Sequence, residues 1–191
     1  SMISAPVPTR AEVSDVANAV LDGTDAVMTS AETATGAYPV EVVMQMDAIC
    51  SEAEMAEDVK LDADFTGMAF SRIDQSIAMG ALFTAHHVGA KAIVALTDSG
   101  STMLWMSRHR AHIAMYALTS RLATQRKLAL YRNVRPLLMD SHTDRDTALE
   151  QAESHLKKRG IVQTGDVYTI TCGEPMGAPG GTNMLKICVV R

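Results

Sequence analysis

The stretch KAIVALTDSGSTMLWMSRHRAHIAMYAL, residues 91–118, decides the fold. Residues 91–97 are an apolar run of strand length, continuous rather than alternating, as expected of a strand buried on both faces of a parallel sheet. Asp98, Ser99 and Gly100 interrupt the run, a helical pattern follows over 102–110, and residues 112–118 read as a second buried strand. Strand, polar loop, helix and returning strand make one β/α unit.

The alternation continues outward from this unit. Towards the C-terminus the pattern predicts a helix over 120–131, a strand over 134–139, a helix over 144–159, and strands over 166–171 and 184–190. The helix over 144–159 opens with Asp144 and Asp146 and closes with Lys157, Lys158 and Arg159, the charge order that complements its dipole. The last two strands are joined by about a dozen residues without helical pattern, so they are expected to form an antiparallel pair at the sheet edge. Towards the N-terminus a helix is predicted over 75–88, and the charged, poorly patterned residues 57–74 read as a connector. The expected fold is α/β: an open, mostly parallel five-stranded sheet with helices on both faces.

A separate unit precedes the connector: PVPTRAEVSDVANAVLDGTDAVMTSAETATGAYP, residues 6–39. Thr9 and Glu12 form a T-x-x-E capping box ahead of the apolar positions Val13, Val16, Ala17, Val20 and Leu21, and Gly23 stands where a left-handed C-terminal residue belongs. Residues 25–30 are short and mainly apolar, and read as a buried parallel strand whose C-terminal mouth carries Ser30, Glu32 and Thr33. A second helix follows over 40–56, with Val43, Met46, Ile49, Cys50 and Ala53 as its stripe. Polar residues at the end of a strand are where α/β barrels place their chemistry.

Composition narrows the function classes. With 191 residues and 47% hydrophobic content, the chain supports one medium domain plus additional elements. A net charge of −5 argues against a nucleic-acid partner. Cys50, Cys172 and Cys188 lack metal-ligand spacing and read as reduced thiols, and the 13 Met read as core filler. No run has the apolar core of a signal peptide or the length of a membrane span, so a cytoplasmic protein without a membrane partner is expected. His86 and His87, adjacent on a helix, point to different faces and make a poor metal pair.

The PTRAEVSDVANAVLDG and DAVMTSAETATGAYP runs resemble the C-terminal part of the catalytic (β/α)8 barrel of pyruvate kinases of bacterial type, with Thr29, Ala31 and Thr35 as departures. The resemblance implies that residues 1–56 are the last helix–strand–helix of that barrel. Residues 57–74 are then the connector and 75–191 the C-terminal regulatory and subunit-interface domain. It implies barrel-rim catalytic roles for Thr9, Ser30 and Glu32, with Thr9 contacting phosphoenolpyruvate or pyruvate. The family's catalytic Lys, its Mg²⁺ carboxylates and its K⁺ ligands come from earlier strands. Mg²⁺, K⁺, phosphoenolpyruvate and ADP are therefore expected only in the parent enzyme. The 191-residue chain alone is expected to be inactive and to carry no metal site.

The loop over 97–102 is a candidate anion site in its own right, since hydroxyls and free N–H groups at a helix start favour phosphate. The resemblance assigns effector-binding roles to Thr97, Ser99, Gly100, Ser101 and Thr102, and to Gly180, Gly181 and Thr182 in the loop before the last strand. Asp98 disfavours a bisphosphate there, so the expected effector is AMP or a sugar monophosphate. A homo-oligomer is also implied, with self-association through the apolar stripes of the barrel helices. A stand-alone phosphometabolite-sensing module and a purely structural interaction module are the other readings.

Overall fold

The computed structural model describes residues 1–55, 69–140, 144–176 and 181–191. Part of the expected connector and Gly180 lie outside the described residues. The chain divides into two compact units, Ser1–Val59 and Lys60–Arg191.

In the first unit, α1 (Arg10–Leu21) begins at the expected capping box: Glu12 N–H donates to the Thr9 hydroxyl and Thr9 N–H donates to Glu12 Oε2 at 2.7 Å. Its end is a Schellman motif, with Gly23 N–H to Val20 C=O at 2.9 Å and Thr24 N–H to Ala19 C=O at 3.1 Å. A short helix, α2 (Ala31–Ala34), and α3 (Pro39–Met55) follow, and α1 packs on α3. The face of α3 that turns inward is Val42, Met46, Ile49 and Ala53, spaced four, three and four residues apart. Val43, read from the sequence as part of that stripe, is 57% exposed. Residues 25–30 are not a strand: the sole sheet among the described residues lies in the other unit, and Met28 is 85% exposed. A parallel strand exists only through neighbours that take its N–H and C=O groups, and this unit supplies none among the described residues.

The second unit is the sheet. Its elements are α4 (Ile73–His87), β1 (Ala92–Leu96), α5 (Ser101–Ser107), β2 (Met115–Thr119), α6 (Leu122–Leu128), β3 (Val134–Leu138), α7 (Arg145–Lys158), β4 (Val167–Gly173) and β5 (Thr182–Val189). The order is β3-β2-β1-β4-β5; the first four strands run parallel and β5 pairs antiparallel with β4, as the missing crossover helix implied. Every residue of the central strand β1 is buried, which explains its unbroken apolar sequence. One face packs Ala78, Leu82, Met103, Met106, Met115 and Leu128. The other packs Tyr116, Leu118, Leu149, Leu156, Tyr168 and Ile170. The buried methionines Met79, Met103, Met106 and Met115 act as filler, whereas Met28, Met44 and Met55 are exposed.

Asp74, 3% exposed at the start of α4, receives both arms of Arg72: Nε to Oδ1 at 2.8 Å and Nη2 to Oδ2 at 2.7 Å. These bonds hold its carboxyl below the usual 3.8, against the opposing effect of burial. A depressed folded-state value means stability that is present above the unfolded value and is lost as pH falls below it. Resistance to urea should therefore weaken as pH drops below about 4. Asp74→Ala should cost about 2 kcal/mol at neutral pH and flatten that acid limb.

Candidate functional site

In a doubly wound sheet, ligands bind beyond the carboxyl ends of the strands where the order reverses. Here β1 continues to β2 on one side and neighbours β4 on the other, so the reversal falls between β1 and β4. The two loops leaving those strands are the ones singled out in the sequence, residues 97–100 and the segment after Gly173.

The first loop is tightly bonded. Thr97 N–H donates to Leu118 C=O at 3.0 Å, and its hydroxyl accepts the Gly100 N–H at 2.9 Å. Gly100 is left-handed (φ 82°), and a Cβ there would come within 2.8 Å of Leu128 Cδ2. Ser99 Oγ donates to Ser101 Oγ at 3.2 Å. The Asp98 carbonyl accepts the Thr124 hydroxyl at 2.6 Å, while its carboxylate meets Arg121 Nη2 at 3.4 Å.

The second loop is closed at its base. The Asn183 amide exchanges two hydrogen bonds with the Glu174 backbone, at 2.8 and 2.7 Å. A Cβ on Gly173 would lie 2.9 Å from the Gly181 carbonyl oxygen, so glycine is needed for that close approach. Across the crevice, the Thr102 and Thr182 hydroxyls are hydrogen-bonded at 2.9 Å, although 80 residues separate them. One bond thus unites the two walls.

The candidate residues therefore divide by role. Thr102 is fully buried and its hydroxyl is engaged by Thr182; Thr97 is engaged by Gly100. Ser99 is exposed and Ser101 half-buried, their hydroxyls bonded to each other, with Gly181 and Thr182 on the opposite wall and Gly180 beyond the described residues. Sequence reading missed Arg121 and Thr124, and placed Asn183 only as the end of the loop before the last strand. The first two follow the end of β2 as Asp98 follows the end of β1, a correspondence visible once both strands are aligned.

The first unit's residues stand differently. The Thr9 hydroxyl accepts from Glu12 N–H and donates to Glu12 Oε2 at 2.8 Å, so it is committed to the cap. Glu12 also takes the Ser1 ammonium and hydroxyl, and with Thr9 these hold its carboxyl well below the usual carboxylate range. Glu32 lines a groove of about 290 Å³ with Pro8, Glu12, Asp15, Val16 and Met28; Thr9 and Ser30 are outside its lining. Ser30 precedes α2 without a side-chain cap bond, its carbonyl accepting Ala34 N–H at 3.0 Å. Among the described residues no three His, Cys, Asp or Glu side chains gather as metal ligands. No helix among them is long and apolar enough to cross a membrane.

The sheet order and its two crevice loops define a doubly wound α/β domain. The family model described as pyruvate kinase, alpha/beta domain, matches residues 75–188, and that described as pyruvate kinase, barrel domain, matches residues 1–43. The chain is 42% identical over 192 residues to pyruvate kinase II of Salmonella typhimurium, covering 100% of this chain and 40% of that protein. The figures are 44% over 192 residues, with 100% and 40% coverage, for the pyruvate kinase of Haemophilus influenzae. A crystal structure of a pyruvate kinase from Cryptosporidium parvum superposes with a TM-score of 0.84 at 31% identity, covering 100% of this chain and 38% of that one. The chain belongs to the pyruvate kinase family. It spans about 40% of the length of the curated relatives it matches.

Proposed function

We propose that this chain is the C-terminal part of a pyruvate kinase, that the whole protein transfers a phosphoryl group from phosphoenolpyruvate to ADP, and that the sheet unit binds a phosphate-bearing effector. Residues 1–56 are the end of the catalytic barrel, 57–74 the connector and 75–191 the regulatory domain. The observation that carries the effector reading is the Thr102–Thr182 bridge, which brings both loops to one crevice at the sheet's switch point. Ser99 and Ser101 offer hydroxyls to the phosphate, and Gly181 lets the opposite wall approach closely.

In the whole enzyme Thr9, Ser30 and Glu32 sit at the barrel rim, where a hydroxyl and a carboxylate order water or relay a proton. Mg²⁺ and K⁺ serve the reaction there. The described carboxylates do not assemble as a donor set for them, so no metal-dependent step is assigned to this chain's residues. The protein works as a cytoplasmic homo-oligomer. Exposed Val40, Val43 and Met44 on α3 favour self-association of the chain alone.

Calorimetric titration tests the effector reading. The chain should bind AMP or glucose 6-phosphate saturably, and Ser99→Ala/Ser101→Ala should weaken that binding roughly tenfold, the scale of lost hydrogen bonds to a charged group. Undiminished affinity in the double variant excludes the site.

A further inference from the structure

One edge of the sheet unit supplies no carboxylate of its own. Residues 99–139, which hold α5, β2, α6 and β3, contain seven of the chain's 17 Lys and Arg and neither Asp nor Glu. Against a total charge of −5, the other residues therefore sum to −12. Part of this positive charge stands beside exposed apolar side chains on α6. Thr124 and Leu128 are that helix's inward face: the Thr124 hydroxyl donates to the Asp98 carbonyl at 2.6 Å, and Leu128 is fully buried. The opposite face is Leu122, Arg126 and Ala129, spaced at i, i+4 and i+7, with Leu130 in the turn that follows. Leu122 is 48% and Leu130 67% exposed. Lys127 lies 6.0 Å over the Tyr131 ring. The helix dipole accounts for cations in a last turn, but not for leucines left in water beside them. The adjacent edge strand β3 carries Pro136, paired with Ala117 of β2, and a proline has no N–H to give an added strand.

We propose that the outer face of α6 is a docking surface for an acidic amphipathic helix of a partner protein. The partner's apolar stripe seats on Leu122, Ala129 and Leu130, and its carboxylates meet Arg126 and Lys127. Charge complementarity selects this occupant. A short Glu- or Asp-rich segment meets cations in a stretch of chain that offers no competing carboxylate, whereas a long polyanion such as RNA runs its phosphates past the acidic remainder. A lipid surface needs a longer apolar face than a seven-residue helix presents. Strand addition is closed off at Pro136, so the partner docks through side chains. The surface packs on β2 and β3, away from the reversal between β1 and β4, and it stands whether or not the crevice binds an effector.

Fluorescence anisotropy with the full 191-residue chain tests this. The probe is a labelled peptide of Glu, Ala and Leu with one leucine stripe at helical spacing, and the same peptide with Lys for Glu is the control. The acidic peptide should bind saturably, gain helical circular dichroism on binding and weaken as salt is raised, while the lysine peptide should not bind. Arg126→Glu/Lys127→Glu should weaken it about tenfold or more, and Leu122→Ser/Leu130→Ser about tenfold. Lys158→Glu/Arg159→Glu, a charge reversal at the end of α7, should leave it unchanged. Equal weakening by that variant reduces the effect to net charge and overturns the proposal. So does full affinity in the α6 variants, no binding of the acidic peptide, or binding of oligouridylate or anionic vesicles in its place. Thermal midpoints near the wild type, expected for exposed positions, exclude misfolding as the cause of a loss.

Discussion

Replacing Gly100 by valine is expected to destabilise the sheet unit by about 3 kcal/mol or more, lowering its thermal midpoint by roughly 10 °C. Two costs combine. At φ 82° a β-branched residue pays the left-handed strain that glycine avoids, of order 1–3 kcal/mol. Its Cβ would also meet Leu128 Cδ2 at 2.8 Å, inside a core where Leu128 is fully buried and cannot retreat freely. Gly160→Ala is the control, because Gly160 is also left-handed (φ 67°) but a Cβ there would meet nothing within 4 Å. It should cost only about 1 kcal/mol. Equal midpoints for the two variants would show that the Gly100–Leu128 fit is not what fixes the loop.

The second large effect is an absence of turnover. The 191-residue chain, supplied with phosphoenolpyruvate, ADP, Mg²⁺ and K⁺, should produce pyruvate no faster than the protein-free control. Phosphoryl transfer is catalysed by positioned cations around the migrating group. The described groove of the first unit offers the reverse: Glu12, Asp15 and Glu32, with the Thr9 hydroxyl tied to Glu12. Residues 25–30, which should present Ser30 at a strand's end, have no sheet among the described residues to hold them. Turnover proportional to chain concentration, and lost in Thr9→Val, would refute this assignment.

What the sequence disclosed follows the range of the forces involved. The Thr9–Glu12 box and the Gly23 turn are local and were legible from a few residues. So were the strands of the sheet: β1 and β2 are buried along their whole length, which leaves unbroken apolar runs, and the lack of a helical pattern before β5 gave its antiparallel pairing. Residues 25–30 have the composition of a strand but not the partners, and composition alone cannot reveal that. The helix expected over 102–110 ends at Ser107, where the Arg108 N–H turns back to the Trp105 carbonyl at 3.3 Å. In α3, a phase difference of one residue moved the buried position from Val43 to Val42, because the packing of α1 sets the inward face. At the crevice, residue types indicated the loop, but the partner of each hydroxyl did not follow from them. Thr102 looked like a ligand contact and is a buried strut to Thr182; Arg121, unremarked within the helix expected over 120–131, meets Asp98.

The central claim is that this chain's own function resides in the sheet's crevice and not at the barrel rim. Amide hydrogen exchange, followed while the chain is titrated with glucose 6-phosphate, tests it most directly. The account predicts saturable protection at residues 98–102 and 181–183, with no change at residues 9–12 and 30–35. Protection confined to the barrel-rim residues, or no protection anywhere at saturating ligand, would contradict it.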